Sequence, residues 1–242
     1  MSLPQEAVCK ICGNHAKLQF GLPKSKKSGH PIPNLPDDAP YFQCDSCEFL
    51  FSTVLDNQPH EGIYDETYWD NQDPDWYGRV SETLRLILLS NELLNGRSAE
   101  FDILDFGCGI GGFVEMGRRS LQLKVWGTDI NVPKVGKEWF LPKLEGKKFD
   151  IITACEVIEH LPEPVPTFEF IKQHLKSPGV FAFQTAIWDG SQLDRNWWYL
   201  GPDNGHISLY SPRSFDYVSA KLGVKARRMW SHYPGVQAWL FE

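Results

Sequence analysis

The chain has 242 residues, of which 42% are hydrophobic and 13% aromatic, and its formal net charge is −7 at pH 7. This composition is sufficient for one α/β core and one small additional domain. The acidic balance argues against the broad basic surface that nucleic-acid binding requires, and no apolar run reaches the roughly twenty residues that span a bilayer. The N-terminus lacks the hydrophobic region of a signal peptide, so we expect a soluble cytoplasmic protein without a membrane partner.

Four of the six cysteines form two Cys-x-x-Cys pairs near the N-terminus. The first pair is Cys9 and Cys12, and the second is Cys44 and Cys47. Thiolates two residues apart on a tight turn can share one tetrahedral metal ion, and two such turns complete a four-thiolate site. The pattern predicts a zinc-ribbon domain over residues 1–56, in which Zn²⁺ supports folding and takes no part in chemistry. A redox pair or unmetallated thiols are the alternatives.

Residues 57–97 are predicted to form a linker followed by a helix. Apolar residues recur at helical spacing from Val80 to Leu94, and the pair Asn95-Gly96 ends the run. The remaining residues, 98–242, have the alternating strands and helices of an α/β domain.

A glycine-rich turn follows the first predicted strand of this third segment. The stretch from Phe101 to Phe113 reads FDILDFGCGIGGF, with an acid at Asp105 just before the glycines. A buried strand that turns sharply into a helix is typical of a nucleotide-cofactor site, because glycines let the ligand approach the helix N-terminus. The glycines also satisfy the dinucleotide pattern, but the Asp105 carboxylate would repel a pyrophosphate and suits the ammonium and sulfonium of S-adenosylmethionine. A turn without a ligand is the alternative.

Two later stretches have the spacing expected around such a turn. A second predicted strand ends at Asp129, eighteen residues beyond Gly111, which is close to the spacing at which a carboxylate meets a ribose diol. We therefore predict that Asp129 binds the cofactor's ribose. A further apolar run begins at Phe149 and leads into Glu156 and His160, which a helix cap or a core pair would also explain.

Together, the three stretches resemble class I S-adenosylmethionine-dependent methyltransferases, with a D-x-G-x-G-x-G motif, an acid after the second strand and an EHLP turn after the fourth. The resemblance implies a Rossmann-like sheet of seven strands with the last one antiparallel. It also implies that the turn after the fourth strand borders the methionine end of the cofactor. The implied cofactor-binding residues are Asp105, Phe106, Gly107, Cys108, Gly109, Gly111, Asp129, Ile130, Ala154, Cys155 and Glu156.

Two regions extend or depart from that family pattern. In many members the segment before the first strand covers the cofactor as a lid, so Tyr68, Trp69 and Arg79 are candidate contacts, with aromatic packing as the alternative. Between Pro133 and Lys148 the chain lacks the acid or amide that often ends the third strand, and it gives no clear strand there.

The segment 186–212 is rich in aromatic and polar residues directly after a predicted strand. Trp188, Trp197, Trp198 and Tyr199 lie within it. Exposed indoles beside polar groups suit the apolar faces and hydroxyl rims of sugars, and they suit flat aromatic metabolites as well. Packing of this segment on its own domain is the alternative.

His206 is the first candidate for a general base, because the unperturbed pKa of histidine suits proton removal near neutrality. The sequence GHISLYSPRSF around it resembles a segment of sugar methyltransferases that carry a similar four-cysteine domain, where a histidine at the matching place is thought to deprotonate the substrate. Glu156 and His160 are the other candidate catalytic residues. A structural hydrogen-bonding role for His206 remains open.

The sequence therefore predicts transfer of a methyl group from S-adenosylmethionine to a small molecule, with S-adenosylhomocysteine as product. The expected acceptor is a sugar, a nucleotide sugar or a related secondary metabolite, and the reaction an in-line displacement. The alternatives are an RNA methyltransferase of the ribosomal RNA type, a cofactor-binding protein without turnover, and a nicotinamide dehydrogenase on the same turn. The net charge disfavours the RNA alternative.

Overall fold

The structure is a computed structural model that describes residues 3–23, 36–56, 76–96, 98–188, 195–224, 227–230 and 235–242. In chain order the strands are β1 (Glu6–Val8), β2 (His15–Pro23), β3 (Asp38–Cys44), β4 (Leu50–Ser52), β5 (Asp102–Phe106), β6 (Lys124–Thr128), β7 (Phe149–Cys155), β8 (Leu175–Gln184), β9 (Ser208–Leu209), β10 (Arg227–Trp230) and β11 (Val236–Phe241). The α-helices are α1 (Trp76–Leu94), α2 (Gly112–Arg119), α3 (Pro164–Gln173) and α4 (Pro212–Leu222).

The chain divides into two compact units. The first comprises Met1–Gln72, Ile158–Phe168 and Ala186–Lys221, and the second comprises Asp73–Val157, Glu169–Thr185 and Leu222–Glu242. The predicted boundaries after residues 56 and 97 follow the chain, whereas these units are assembled from separated segments. The division into ribbon, linker and cofactor domain stays a prediction.

The first unit contains a five-stranded antiparallel sheet with the order β1-β2-β3-β4-β9. β3 and β4 are buried along nearly their whole length because they carry adjacent aromatic residues, among them Tyr41, Phe42 and Phe51. β9 pairs with β4 through Leu209 and Leu50, so a segment far along the chain completes the sheet of the N-terminal residues.

The second unit contains a mixed sheet with the order β10-β11-β8-β7-β5-β6. β5, β6, β7 and β8 are mutually parallel, whereas β11 runs antiparallel to both β8 and β10. The central strands read as continuous apolar runs, and every residue from Ile151 to Cys155 is buried, as expected for strands covered on both faces. The α/β sheet with an antiparallel last strand agrees with the expectation from the sequence.

The predicted count of seven strands is not confirmed, because this sheet has six strands within the described residues. At the place expected for the third strand of the family, Phe140 forms a single parallel bridge with Gly127 on the outer edge of β6. The sequence from Pro133 to Lys148 contains no clear strand signal. Its backbone forms a short 3₁₀ turn at Lys137–Trp139 instead.

Helix α1 buries an apolar stripe that includes Leu86 and Ile87 in the second unit. It begins at Trp76, four residues earlier than the predicted helix, and ends at Leu94 as predicted. Of the candidate lid residues, Arg79 lies in its first turn, while Tyr68 and Trp69 lie outside the described residues. None of the helices within the described residues combines the length and the apolar composition of a membrane span.

Candidate functional site

The turn between β5 and α2 is stabilised by backbone hydrogen bonds to the end of β6. The N–H groups of Gly107 and Cys108 donate to the carbonyl of Thr128 at 2.8 and 3.1 Å. Gly107 and Gly111 both have positive φ, at 74° and 87°, a region that residues with a Cβ rarely adopt. The alternation of glycines in the sequence thus corresponds to backbone positions that require them.

Space as well as backbone angle restricts this turn. A Cβ added at Gly111 would lie 2.2 Å from the carbonyl oxygen of Val135, and one added at Gly107 would lie 2.5 Å from Val157. The following helix α2 begins directly after Gly111, so its first N–H groups point toward the turn. Packing of Val135 and Val157 therefore requires glycine at these two positions, and the helix N-terminus beside them is the part of the turn suited to a ligand.

Asp129 lies just beyond β6, as predicted, and is joined to the glycine turn. Its carboxylate accepts hydrogen bonds from the N–H of Gly109 at 2.8 Å and of Asn131 at 3.2 Å. Burial raises the pKa of Asp129, and these backbone donors oppose the rise. Each carboxylate oxygen has a second lone pair, so both can still accept a hydroxyl of a ribose diol.

Asp105, the acid in β5, is almost completely buried and accepts a hydrogen bond from the hydroxyl of Thr153 at 3.0 Å. Burial raises its pKa to about 7, and the negative charge of Asp129 contributes to the rise, while Arg79 lowers it. Two carboxylates therefore flank one glycine turn, which disfavours a diphosphate there and favours a cationic ligand.

The C-terminal end of β7 provides the next group of predicted cofactor residues. Ala154 and Cys155 are buried, and Glu156 directly after the strand has a φ of 53°. A non-glycine residue in this left-handed region is strained, and such residues are often found at functional sites. Its N–H donates to the carbonyl of Gln184 at 3.0 Å, and the 3₁₀ turn that contains His160 begins only at Ile158, so Glu156 and His160 do not share one helical turn.

The remaining predicted cofactor residues differ in exposure. Phe106 is half-buried and packs against Phe170, with 6.4 Å between the ring centroids. Cys108 is buried in the core cluster with Phe113 and Val125. Ile130, in contrast, is 52% exposed, so its side chain is accessible to a flat apolar ligand group.

The first unit brings the four N-terminal cysteines together. The Sγ atoms of Cys9 and Cys47 are 3.5 Å apart, those of Cys12 and Cys44 are 3.4 Å apart, and all four lie within 4.8 Å of one another. A zinc ion with bonds of about 2.3 Å to four sulfurs holds them roughly 3.8 Å apart, so the tetrad fits this ion. The hydrogen bond from Cys47 lowers the pKa of Cys9 to about 5, whereas burial raises the pKa of Cys12 to about 11 and the hydrogen bond to Cys9 raises that of Cys47. Of these three residues, Cys9 is the one that most readily provides the thiolate that a metal needs.

The two halves of the tetrad share one local backbone pattern. Gly13 donates its N–H to the carbonyl of Cys9, and Glu48 donates to the carbonyl of Cys44, each closing a turn around its Cys-x-x-Cys pair. Both donors have positive φ, at 77° and 60°. These paired turns agree with the two knuckles predicted from the sequence.

His206 and His160, two of the predicted catalytic residues, lie next to each other in the first unit. Their ring centroids are 4.9 Å apart in an edge-on arrangement. The Nδ1 atom of His206 lies 2.7 Å from the carbonyl oxygen of Tyr199. Because a carbonyl only accepts, Nδ1 carries the proton and Nε2 carries the lone pair.

Sequence reasoning missed Glu159, the third member of this group. Its side chain is fully buried, and its Oε1 lies 3.7 Å from Nε2 of His160. Burial, together with the negative charge of Glu159, raises the pKa of Tyr210 well above its usual value. The sequence does contain a signal for this group, because Glu159 is the acid directly before His160 in the EHLP turn.

The aromatic segment is mainly a packing element. Trp188 and Tyr199 are buried in one core cluster with Tyr41 and Leu209, which corrects the expectation that their rings are exposed. Trp198 is 69% exposed, and Trp197 is partly buried. The expectation of an exposed indole therefore holds for Trp198.

The family follows from a comparison with protein families. The family model described as a methyltransferase domain matches residues 68–226 of the chain, which include the glycine turn, Asp129 and the end of β7. The chain belongs to this methyltransferase-domain family. The predicted methyltransferase family is thereby confirmed, whereas the zinc ribbon, the similarity to sugar methyltransferases and the roles of the individual site residues stay predictions.

Two curated relatives and one solved structure are similar to this methyltransferase domain. The chain is 32% identical over 107 residues to a ubiquinone biosynthesis O-methyltransferase of Histophilus somni, covering 36% of this chain and 45% of the relative. It is 30% identical over 142 residues to the corresponding enzyme of Glaesserella parasuis, covering 50% and 59%. The chain thus spans about half the length of the curated relatives it matches.

The solved structure is an O-methyltransferase family protein from Burkholderia thailandensis. It aligns with a TM-score of 0.55 at 13% identity, covering 78% of this chain and 63% of the other. At this identity the likeness supports the fold of the methyltransferase domain.

Proposed function

We propose that this chain is an S-adenosylmethionine-dependent methyltransferase that acts on a hydroxyl group of a small molecule. The observation that carries the proposal is the pair of acids at the glycine turn, the buried Asp105, which accepts from Thr153, and the half-buried Asp129, which accepts from Gly109. A diphosphate at this turn would be repelled by the Asp129 carboxylate and by the ionised form of Asp105, whereas a sulfonium and an ammonium are attracted by both and favour that ionised form.

The predicted cofactor residues of the second unit would each bind a different part of the cofactor. Asp105 and the amides of the glycine turn would hold the amino-acid end, and Asp129 would bind the ribose. The turn from Ala154 to Glu156 would border the sulfonium. The exposed side chain of Ile130 suits the face of the adenine ring, because it directly follows the ribose ligand.

The bound cofactor would supply a methyl group on a positively charged sulfur. The acceptor oxygen attacks the methyl carbon in line with the carbon–sulfur bond, and the sulfur leaves. The chain's own contribution is to hold the reactants in line and to exclude water. No covalent intermediate with the protein is required. The residues Asp105 and Thr153 would orient the amino-acid end and so fix the direction in which the methyl group points.

The oxygen acceptor is proposed from the two curated relatives, both named O-methyltransferases. A sugar, a nucleotide sugar or a related secondary metabolite remains our proposed acceptor class. The exposed indole of Trp198 supports it, since such a ring stacks on the apolar face of a sugar.

The identity of the general base stays a prediction. His206, Glu156 and His160 are the candidates, and in His206 the protonated Nδ1 leaves Nε2 as the atom able to accept a proton.

Two measurements test the proposal. Calorimetric titration of the full chain with S-adenosylhomocysteine is expected to give saturable binding, while NADH is expected to give none. Incubation with methyl-labelled S-adenosylmethionine and a panel of sugars, nucleotide sugars, phenols and ribosomal RNA is expected to label one class of small molecule at oxygen. Binding of NADH in place of S-adenosylhomocysteine would refute the cofactor assignment. Labelling of ribosomal RNA alone would refute the small-molecule acceptor.

A further inference from the structure

We propose that Glu159, His160 and His206 form a second metal site, distinct from the four cysteines, that binds a first-row divalent ion such as Zn²⁺. One ligand atom from each residue lies within 4.8 Å of the others, and all three residues belong to the first unit. Two imidazole nitrogens and one carboxylate are a donor set that such ions bind well, whereas the tetrad offers only sulfur.

The spacing of these atoms suits a shared ion. An ion about 2.1 Å from each ligand holds neighbouring ligand atoms roughly 3–4 Å apart. Glu159 Oε1 and His160 Nε2 are already 3.7 Å apart. The ligand atom of His206 lies within 4.8 Å of both.

The surroundings of His206 fix its ring in the orientation that a ligand needs. Its Nδ1–H donates to the carbonyl of Tyr199, and a histidine that binds a metal through Nε2 commonly donates its other ring N–H in this way. Tyr199 also packs against the imidazole, with 4.3 Å between the ring centroids. The hydroxyl of Tyr41 donates to the carbonyl of His206 at 2.7 Å and holds the backbone at that residue.

Hydrogen bonds also join the two chain segments that provide the ligands. The N–H of Ile207 donates to the carbonyl of Glu159 at 3.0 Å. The hydroxyl of Ser208 donates to the carbonyl of Leu161 at 2.6 Å, and that of Tyr210 donates to the carbonyl of Ile158 at 3.0 Å. The three ligands are therefore held together by a rigid framework before any ion binds.

The burial of Glu159 supports the same assignment. A fully buried carboxylate is costly unless it is paired with a cation or coordinates a metal. Coordination by a divalent ion would compensate this cost, because the ion brings two positive charges to the carboxylate.

The number of protein ligands indicates what else the ion would bind. Three ligands leave at least one coordination position, as in metal sites that accept water or an oxygen of a bound molecule. The chemical class of that further ligand is an oxygen donor such as a deprotonated hydroxyl or a carboxylate, whose negative charge the ion stabilises. A nitrogen bound to the ion takes no proton, so this assignment excludes both His206 and His160 as the general base and leaves Glu156 among the candidates.

Zinc content of the full chain tests the second site. After loading with Zn²⁺ and removal of excess metal, elemental analysis is expected to give two ions per chain. His206→Asn keeps a donor at the position of Nδ1 and removes Nε2, so this variant is expected to retain only the ion at the four cysteines. When the His206→Asn variant is titrated with a second equivalent of Zn²⁺ in a calorimeter, its affinity is expected to be at least tenfold lower than that of the unmodified chain. His15→Ala, which removes an exposed histidine paired with Glu6, serves as the control and is expected to retain two.

A second variant and a direct location of the ion protect the test against misfolding. Glu159→Gln preserves the shape of the side chain and is expected to lose the same ion, while the circular dichroism spectrum and the tetrad ion are retained. Anomalous diffraction at the zinc edge is expected to locate the ion between the three side chains. A single ion in the unmodified chain, or unchanged affinity in both variants, would overturn the proposal. Binding of S-adenosylhomocysteine, measured in the same samples, tests the proposed function separately.

Discussion

Gly109 donates its backbone N–H to the Asp129 carboxylate across 2.8 Å, so the acid expected to bind ribose also holds the glycine turn in place. The same carboxylate accepts from Asn131 at 3.2 Å, which ties it to the residues after β6. Asp129 therefore combines a structural role with a ligand-binding one. Substitutions at this residue must separate the two.

Asp129→Ala is expected to weaken S-adenosylhomocysteine binding by about 1–3 kcal/mol, because a buried hydrogen bond to an ionised group is lost. Asp129→Asn retains one acceptor oxygen for Gly109 while removing the charge, and it is expected to lose affinity with a smaller loss of thermal stability. Calorimetry and thermal unfolding of both variants provide the comparison. An unchanged dissociation constant in the alanine variant would remove Asp129 from the cofactor site.

Asp105 makes the free energy of unfolding fall as the pH rises, whereas most carboxylates in folded proteins make it rise. Its pKa rises from the usual 3.8 to about 7 in the folded chain, mainly through burial. The folded chain thus keeps a proton that the unfolded chain releases, and the free energy of unfolding falls as the pH rises from about 4 to about 7. The cationic ammonium of a bound cofactor would offset the cost of ionising the buried Asp105, because it is attracted to the ionised carboxylate.

Asp105→Asn is therefore expected to unfold at a higher temperature than the unmodified chain at pH 8 without cofactor. The gain is at most about 4 kcal/mol, the free energy that corresponds to the pKa shift. At pH 4 the two proteins are expected to unfold at similar temperatures. The affinity of the unmodified chain for S-adenosylhomocysteine is expected to rise with pH between 5.5 and 7.5, whereas that of the variant stays low and flat. A variant that binds as tightly as the unmodified chain at pH 7.5 would contradict this role.

The parts of the fold that the sequence predicts well are those with short-range physical causes. Glycines that need positive φ, such as Gly107 and Gly111, identify the turn, and the apolar run of β7 identifies a strand buried on both faces. The two Cys-x-x-Cys pairs likewise identify their own turns. Each of these patterns lies within a few consecutive residues.

The parts that the sequence did not predict depend on contacts between distant segments. β9 joins the sheet of the N-terminal residues by pairing Leu209 with Leu50, a contact that no local pattern indicates. The approach of His160 to His206, and the burial of Glu159 beside them, follow from the same return of the chain. Burial of Trp188 was missed for this reason too, because exposure of an indole depends on what packs over it.

The cysteine tetrad predicts a dependence of folding on metal. Removal of Zn²⁺ by a strong chelator is expected to lower the unfolding temperature of the full chain, since binding energy of the metal contributes to folding. Cys44→Ser is expected to have the same effect and to lower the zinc content by one ion per chain. Cys155→Ser, at a cysteine outside the tetrad, is the control and is expected to leave the zinc content unchanged. Equal zinc content in Cys44→Ser and the unmodified chain would show that the tetrad does not bind the metal.

The close packing at Gly111 gives a prediction with a matched control. Gly111→Ala places a Cβ 2.2 Å from the carbonyl oxygen of Val135, so the turn must move. Gly146 has a φ of 76°, similar to the 87° of Gly111, but a Cβ added at Gly146 would meet nothing within 4 Å. Both variants carry the cost of a left-handed alanine, about 1 kcal/mol, and only the first carries the clash.

The difference between the two variants thus isolates the effect of the clash on the cofactor turn. Gly146→Ala is expected to lower the unfolding temperature by a few degrees and to bind S-adenosylhomocysteine normally. Gly111→Ala is expected to lose at least tenfold in affinity, because displacement of the turn moves the Gly109 amide away from Asp129. Comparable affinities in the two variants would mean that this backbone does not approach the cofactor.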